Sequence, residues 1–257
     1  MARTHMFCLY VKFHLAPYLF FSFIWGTYHV LRQGWIRELF LLGDSSAMTG
    51  GYPQSAESLG CRTFYIFELG FWLSCCLYLG FETRRKDFVE MFIHHCSTVA
   101  LILISHLSDY GRAGILVMMI HDVGDIFLYS AKSSQYKKFN GLADMLFAVF
   151  ALVFYISRWF ILPVYVIYPL IKTLTGGQSN KNLQILESYG TKETLQFLTG
   201  LLCTLLALHL MWGFTIARMI KATLVSKKQV SGDGDPRSED ESRISPSNKG
   251  NEMRKRK

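Results

Sequence analysis

Apolar residues along this chain gather into six long runs separated by polar stretches: Phe7 to Leu31, Cys61 to Phe81, Phe88 to Leu107, Ala113 to Ala131, Phe139 to Leu162 and Leu195 to Ile220. A helix needs about twenty such residues to cross the hydrocarbon core of a bilayer. The pattern therefore predicts an all-α, polytopic membrane protein with about six transmembrane helices enclosing an intramembrane site. Apolar sequence continues past Pro163, but proline lacks a backbone donor and crowds the preceding turn, so the fifth helix is expected to break there.

Composition strengthens this picture. With 257 residues, 51% hydrophobic and 15% aromatic, and a mean hydropathy of +0.22, the chain is too apolar for a soluble domain of its size. Its net charge of +8 does not point to nucleic acid, because Lys and Arg sit in short loops and in the tail rather than in a stripe interleaved with aromatics. They orient the protein instead. E-T-R-R-K-D after the second run, K-S-S-Q-Y-K-K after the fourth and K-K after the sixth put positive charge on one side, which is expected to be cytosolic. Both termini then face the cytosol, and Arg32 to Gly60, Ser108 to Arg112 and Lys172 to Thr194 face the lumen. Cys8, Cys61, Cys75, Cys76, Cys96 and Cys203 lie mostly in apolar runs without C-x-x-C spacing and read as small hydrophobes. Lys12, His14 and Pro17, with no A-x-A site, mark the first run as a retained span rather than a removable signal peptide.

Two regions follow from this: a transmembrane catalytic domain over residues 7–224 and a cytosolic tail over 225–257 that has too few apolar residues to fold. The tail is expected to be disordered. Ser238, ahead of Glu239, Asp240 and Glu241, and Ser242 are candidate phosphorylation sites, with a merely solubilising tail as the other reading. The final R-K-R-K suits a dibasic retrieval signal or attraction to anionic lipid.

No repeat, glycine-rich phosphate loop, H-E-x-x-H or G-x-S-x-G occurs, so the chemistry is expected inside the spans. At about 1.5 Å per residue, His94 and His95 lie about 9 to 11 Å below the cytosolic surface. The same rise puts Asp125 at about 9 Å, Asp122 at about 14 Å, His121 at about 15 Å and Asp144 at about 8 Å. Two adjacent imidazoles and three carboxylates thus share one layer. An ionised group at a helix centre costs roughly 2.5 to 3.5 kcal/mol, so such a set needs a reason beyond packing. Pairing between helices is the bland reason; a reaction site is the sharper one. His121, Asp122 and Asp125 project from nearly one face, whereas His94 and His95 diverge by about 100° and are expected to take different roles. Zinc or iron would also accept imidazole and carboxylate, but the single H-H pair is too few for a di-iron oxygenase, and no metal is expected. Glu68, Arg158, His209 and Trp212 are weaker candidates, with structural pairing or snorkelling as their default. A lipid or proton transporter with a His/Asp relay and a metal-dependent lipid hydroxylase are the competing functions.

R-R-K-D-F-V-E-M-F-I-H-H-C-S-T-V-A-L, followed by L-V-M-M-I-H-D-V-G-D-I-F-L-Y-S-A-K, closely resembles the signature of ceramide synthases within the TLC homology domain. G-Y-P-Q at Gly51, F-Y-I-F-E-L-G-F-W at Phe64 and L-A-L-H-L-M-W at Leu206 extend the resemblance over most of the membrane region. It implies an acyl-CoA-dependent sphingosine N-acyltransferase of the endoplasmic reticulum membrane, with acyl-CoA as co-substrate, a sphingoid base as acceptor, membrane lipids around it, and no further cofactor. By the same resemblance His94 is the acylated nucleophile, and His95 is general base or oxyanion donor. Asp122, Asp125 and Asp144 would orient the histidines, with His121 as second partner. Direct attack by the amine, with His94 as base, is the alternative route. Arg84, Arg85 and Lys86 would meet the anionic CoA, and Arg158, His209 and Trp212 are further candidates for contact with substrate. The family's acyl-length preference maps to Lys172 to Thr194, and assembly as a homo- or hetero-oligomer is expected.

Overall fold

The computed structural model describes residues 2–41, 45–54, 59–80, 87–176 and 180–226, and every regular element among them is helical. The order is α1 (Ala2–Leu31), α2 (Gly34–Leu41), a short 3-10 turn (Ser45–Met48), α3 (Leu59–Leu79), α4 (Phe88–Leu107) and α5 (Gly111–Tyr136). It continues with α6 (Asn140–Phe154), a wide-turn π segment (Tyr155–Ile167), α7 (Tyr168–Thr175), α8 (Lys181–Ser188) and α9 (Lys192–Ser226). Residues 84–86, the tail from 227 onward and its Ser238 and Ser242 lie outside the described residues.

Among the described residues four helical stretches are long and apolar enough to cross a membrane: Phe88–Leu107, Gly111–Tyr136, Asn140–Thr175 and Lys192–Lys221. The protein is a multi-pass, all-α membrane protein. α1 and α3 occupy the other two expected spans; Arg62 and Glu68 lower the hydropathy of α3. Outward-facing apolar side chains surround the bundle, with Ile66, Leu77, Val89, Leu152, Phe160 and Phe214 all more than half exposed. In water such a surface would be a liability, whereas hydrocarbon accepts it.

Pro163 does not break the fifth span. The helix runs from Asn140 to Thr175 without interruption, because residues Tyr155–Ile167 widen into π turns around the proline. The Tyr168 N–H donates to the Pro163 carbonyl five residues back. The wider turn leaves room for the pyrrolidine ring that a normal α turn lacks, and such π segments are uncommon and concentrate at functional sites. Arg158 projects from this segment.

α5 forms the centre, packing most extensively against α1 and α6. Leu101, Ile115, Leu162, Leu195 and Leu205 make one continuous core between α4, α5, the π segment and α9. α1 is fastened to α3 by Tyr18, whose ring stacks on Phe71 at 4.4 Å and on Phe67 at 4.9 Å. The segment expected to be lumenal folds back over the bundle. Gln54 accepts the Arg112 backbone N–H at 3.0 Å and donates to the Met48 carbonyl at 3.1 Å, while the Arg112 guanidinium reaches the Ala47 carbonyl at 2.8 Å. Tyr110 closes the same end by donating to the Thr191 carbonyl at 3.0 Å. Burial pushes its phenol up to about 12, so it stays a neutral donor.

Candidate active site

α4 and its N-cap Asp87 present Asp87, Met91, His94 and His95 at i, i+4, i+7 and i+8, one helical face. That face lines a cavity of about 180 Å³, closed by Trp72 and Cys75 of α3, Asp125 and Lys132 of α5, Arg158 of the π segment, and His209 and Trp212 of α9. His94 is held by rings. Trp212 lies 5.2 Å away between centroids, His95 5.7 Å, Trp72 and His209 5.8 Å, and His121 6.4 Å. Its Nδ1 is buried and has no hydrogen-bond partner among the described residues. An imidazole positioned by packing alone keeps a nitrogen lone pair for chemistry.

The histidines behind it are arranged differently. His121 Nδ1 lies 2.7 Å from the Val117 carbonyl, which can only accept, so Nδ1 carries the proton. In the neutral ring Nε2 is then an acceptor, and it takes the His209 Nε2–H at 3.3 Å. The His209 Nδ1 is left as an unpartnered acceptor. The tautomers of both rings are thus fixed by one backbone carbonyl.

The aspartates of I-H-D-V-G-D divide between two environments. Asp125 accepts from Arg158 Nη2 at 3.0 Å, and the same guanidinium nitrogen donates to the His121 carbonyl at 3.1 Å. Asp122 is fully buried, faces away from the cavity, and receives the Ser22 hydroxyl of α1 at 3.3 Å. Ser22 also bonds to Glu68 of α3, which is fully buried. Gly124, between the two aspartates, is where Arg158 passes closest to α5: a Cβ there would run into its guanidinium. Gly124→Ala is expected to displace the Arg158–Asp125 pair and cost about 1–3 kcal/mol, read as a lower thermal midpoint of the detergent-solubilised protein.

The structure therefore brings His94, His95, Asp125, Arg158, His209 and Trp212 to one cavity, with His121 directly behind it. Asp144 is half-buried on α6 and is not among the residues lining the cavity. A shared depth requires the fourth span to end at Ala131, whereas α5 continues to Tyr136. Asp125 consequently lies eleven residues from its helix end and Asp144 only four from the start of α6, about 16 Å against about 6 Å along the two axes. Neither aspartate on α5 is hydrogen-bonded to His94. Ser22, Trp72 and Gly124 were not visible as site residues in the sequence; an apolar run with a lone Ser or Gly gives no signal of what it faces. Among the described residues no three His, Cys, Asp or Glu side chains are grouped to hold a metal ion.

A buried neutral imidazole with a free nitrogen, flanked by a second imidazole and by indoles that exclude water, suits nucleophilic or base catalysis on a lipid. A family model described as the TLC domain matches residues 11–218, and the chain belongs to this family. Within it the chain is similar to ceramide synthase 5 of Homo sapiens, 35% identical over 180 residues, 69% of this chain and 42% of that protein. It is also similar to ASC1-like protein 3 of Oryza sativa subsp. japonica, 34% identical over 225 residues, 85% of this chain and 77% of the relative. Alternaria stem canker resistance protein 1 of Solanum lycopersicum is 34% identical over 188 residues, 71% of this chain and 58% of that one. The chain spans about half the length of the mammalian ceramide synthases it matches, 42% to 54%.

Proposed function

We propose that this protein is a ceramide synthase of the endoplasmic reticulum membrane, transferring a fatty acyl group from acyl-CoA to the amine of a sphingoid base, with α1 and α3 completing six spans and both termini cytosolic. The observation that carries this reading is His94: buried in the cavity, ringed by Trp72, Trp212 and three histidines, with no hydrogen bond to occupy its Nδ1. A His94 nitrogen attacks the thioester carbonyl, the C–S bond breaks, and CoA leaves as the thiol with the imidazolium proton. The sphingoid amine then attacks the acyl-imidazole, the bond to His94 breaks and the amide forms. His95, on the same helix face, takes the proton released by the amine and passes it to the departing His94 nitrogen, so that both imidazoles end neutral. Lys132 at the cavity supplies a cation for the CoA phosphates alongside Arg84, Arg85 and Lys86. Asp125 and Arg158 fix α5 against the π segment, and His121 and His209 back His94. No cofactor beyond acyl-CoA enters this scheme.

The test is conversion of acyl-CoA and sphinganine to dihydroceramide by membranes carrying the full chain. Product above that of membranes lacking the chain is the expected result; none, with the protein present and folded, would remove the reading.

A further inference from the structure

Asp87 stands where α4 begins, and an aspartate there has an ordinary use: its side chain accepts from the unpaired N–H groups of the first turn. It is not put to that use. The carboxylate makes no capping hydrogen bond, the side chain is half-buried in the lining of the histidine cavity, and Oδ1 is buried without a hydrogen-bond partner among the described residues. A carboxylate oxygen taken out of water and left without a donor is costly, so its position calls for a donor that enters the cavity.

The other carboxylate in the lining is already engaged, since Asp125 accepts from Arg158 at 3.0 Å. Among the described residues no three His, Cys, Asp or Glu side chains are grouped around Asp87 as metal ligands, so the chemistry that fits it is a hydrogen-bonding cation. Acyl-CoA and a sphingoid base, the two substrates of the proposed transfer, differ in just this respect. CoA carries phosphates, which a carboxylate repels, whereas an aliphatic amine is protonated near neutral pH and offers it N–H donors. Asp87 also follows directly on the basic R-R-K stretch at the start of α4, the membrane level at which a lipid's polar head sits. It precedes His94 by seven residues on the same face, about 10 Å along the axis. The cavity of about 180 Å³, on the order of a dozen waters at roughly 10–15 Å³ each, takes a head of a few heavy atoms.

We propose that Asp87 receives the ammonium head of the sphingoid base at the cavity mouth, a contact made on the way to His94 and by one substrate only. Resting on the acyl-transfer reading, this makes Asp87 the residue that selects the acceptor by its charge. The role is one of binding. No bond to carbon forms or breaks at Asp87, and the head gives its extra proton to water at the mouth and goes on to His94 as the free amine.

The test measures kcat/KM for sphinganine and for hexadecanoyl-CoA separately, with the full chain in detergent and the other substrate saturating. Asp87→Asn keeps the size of the side chain and serves equally well at a helix start. It is expected to lower the sphinganine value about tenfold or more, the scale of a charge-assisted hydrogen bond, and to leave the hexadecanoyl-CoA value within about twofold. Asp87→Glu, which keeps the charge, retains most of the sphinganine value. With the wild-type chain, octadecyldimethylamine, which is cationic and cannot form an amide, is expected to compete with sphinganine about tenfold better than neutral octadecanol, and Asp87→Asn removes that preference. An unchanged sphinganine value in Asp87→Asn, or a fall in both values together, overturns the assignment. So does equal competition by the amine and the alcohol against the wild type. A wild-type chain that makes no dihydroceramide sinks the acyl-transfer reading itself, a result distinct from an active chain whose sphinganine value does not respond.

Discussion

On the acyl-transfer reading, His94→Ala is expected to abolish dihydroceramide formation while leaving the protein extractable and monodisperse. Loss of a nucleophile that acts in concert with its neighbours is expected to lower turnover by about 10³-fold or more. The structure makes the fold insensitive to this change relative to activity. His94 holds no described hydrogen bond through its side chain, so removing it leaves no partner stranded, only a gap between Trp72 and Trp212. His95→Ala should fall less, by about 10²-fold, the lower end of what a general base contributes. Turnover of both variants against acyl-CoA and sphinganine, normalised to folded protein, checks the order.

Arg158→Leu acts chiefly on stability. Its guanidinium is almost fully buried, pairs with Asp125 at 3.0 Å and satisfies the His121 carbonyl. Removing one partner of a buried pair leaves an uncompensated charge and is expected to cost about 3–5 kcal/mol. Replacing both partners, Arg158→Leu with Asp125→Leu, should recover much of that loss, because no buried charge is then left unpaired and only the His121 carbonyl loses the Arg158 donor. The double variant should nonetheless remain poor in turnover, since the pair also joins α5 to the π segment behind His94. Thermal midpoints in detergent, measured beside turnover, separate the two effects. A double variant as unstable as Arg158→Leu alone would show that the pair is not what the single variant breaks.

Much of the fold was legible because hydropathy reports burial in lipid directly. The third span, Phe88 to Leu107, coincides with α4. The fourth was placed short because Lys132, Ser133, Ser134 and Gln135 carry α5 beyond the apolar run; hydrogen bonding continues a helix after hydrophobicity has ended. That error of five residues is what put Asp144 at the same depth as Asp125. Pro163 misled for a different reason: the rule that proline breaks a helix presumes an α turn, and the π turn is a tertiary accommodation with no sequence signature.

Within the cavity, residues that are improbable in lipid announced themselves. His94, His95, Asp125, Arg158 and His209 are costly there and are found together. Ser22, Trp72 and Gly124 are ordinary in a transmembrane helix. Their positions gain meaning only from neighbours far along the chain: Glu68 and Asp122 for Ser22, the His94 and His95 rings for Trp72, and the Arg158 guanidinium for Gly124. Glu68 gave a signal that spacing alone assigned to structural pairing, and its partner is the Ser22 hydroxyl of α1 rather than a cation.

The central claim is that the acyl group rests on His94 between the two half-reactions. Intact-mass measurement of the purified chain after incubation with acyl-CoA alone tests it most directly. The account predicts a gain of one acyl group, lost on addition of sphinganine and absent in His94→Ala. An unchanged mass under conditions in which the same preparation makes dihydroceramide would contradict it.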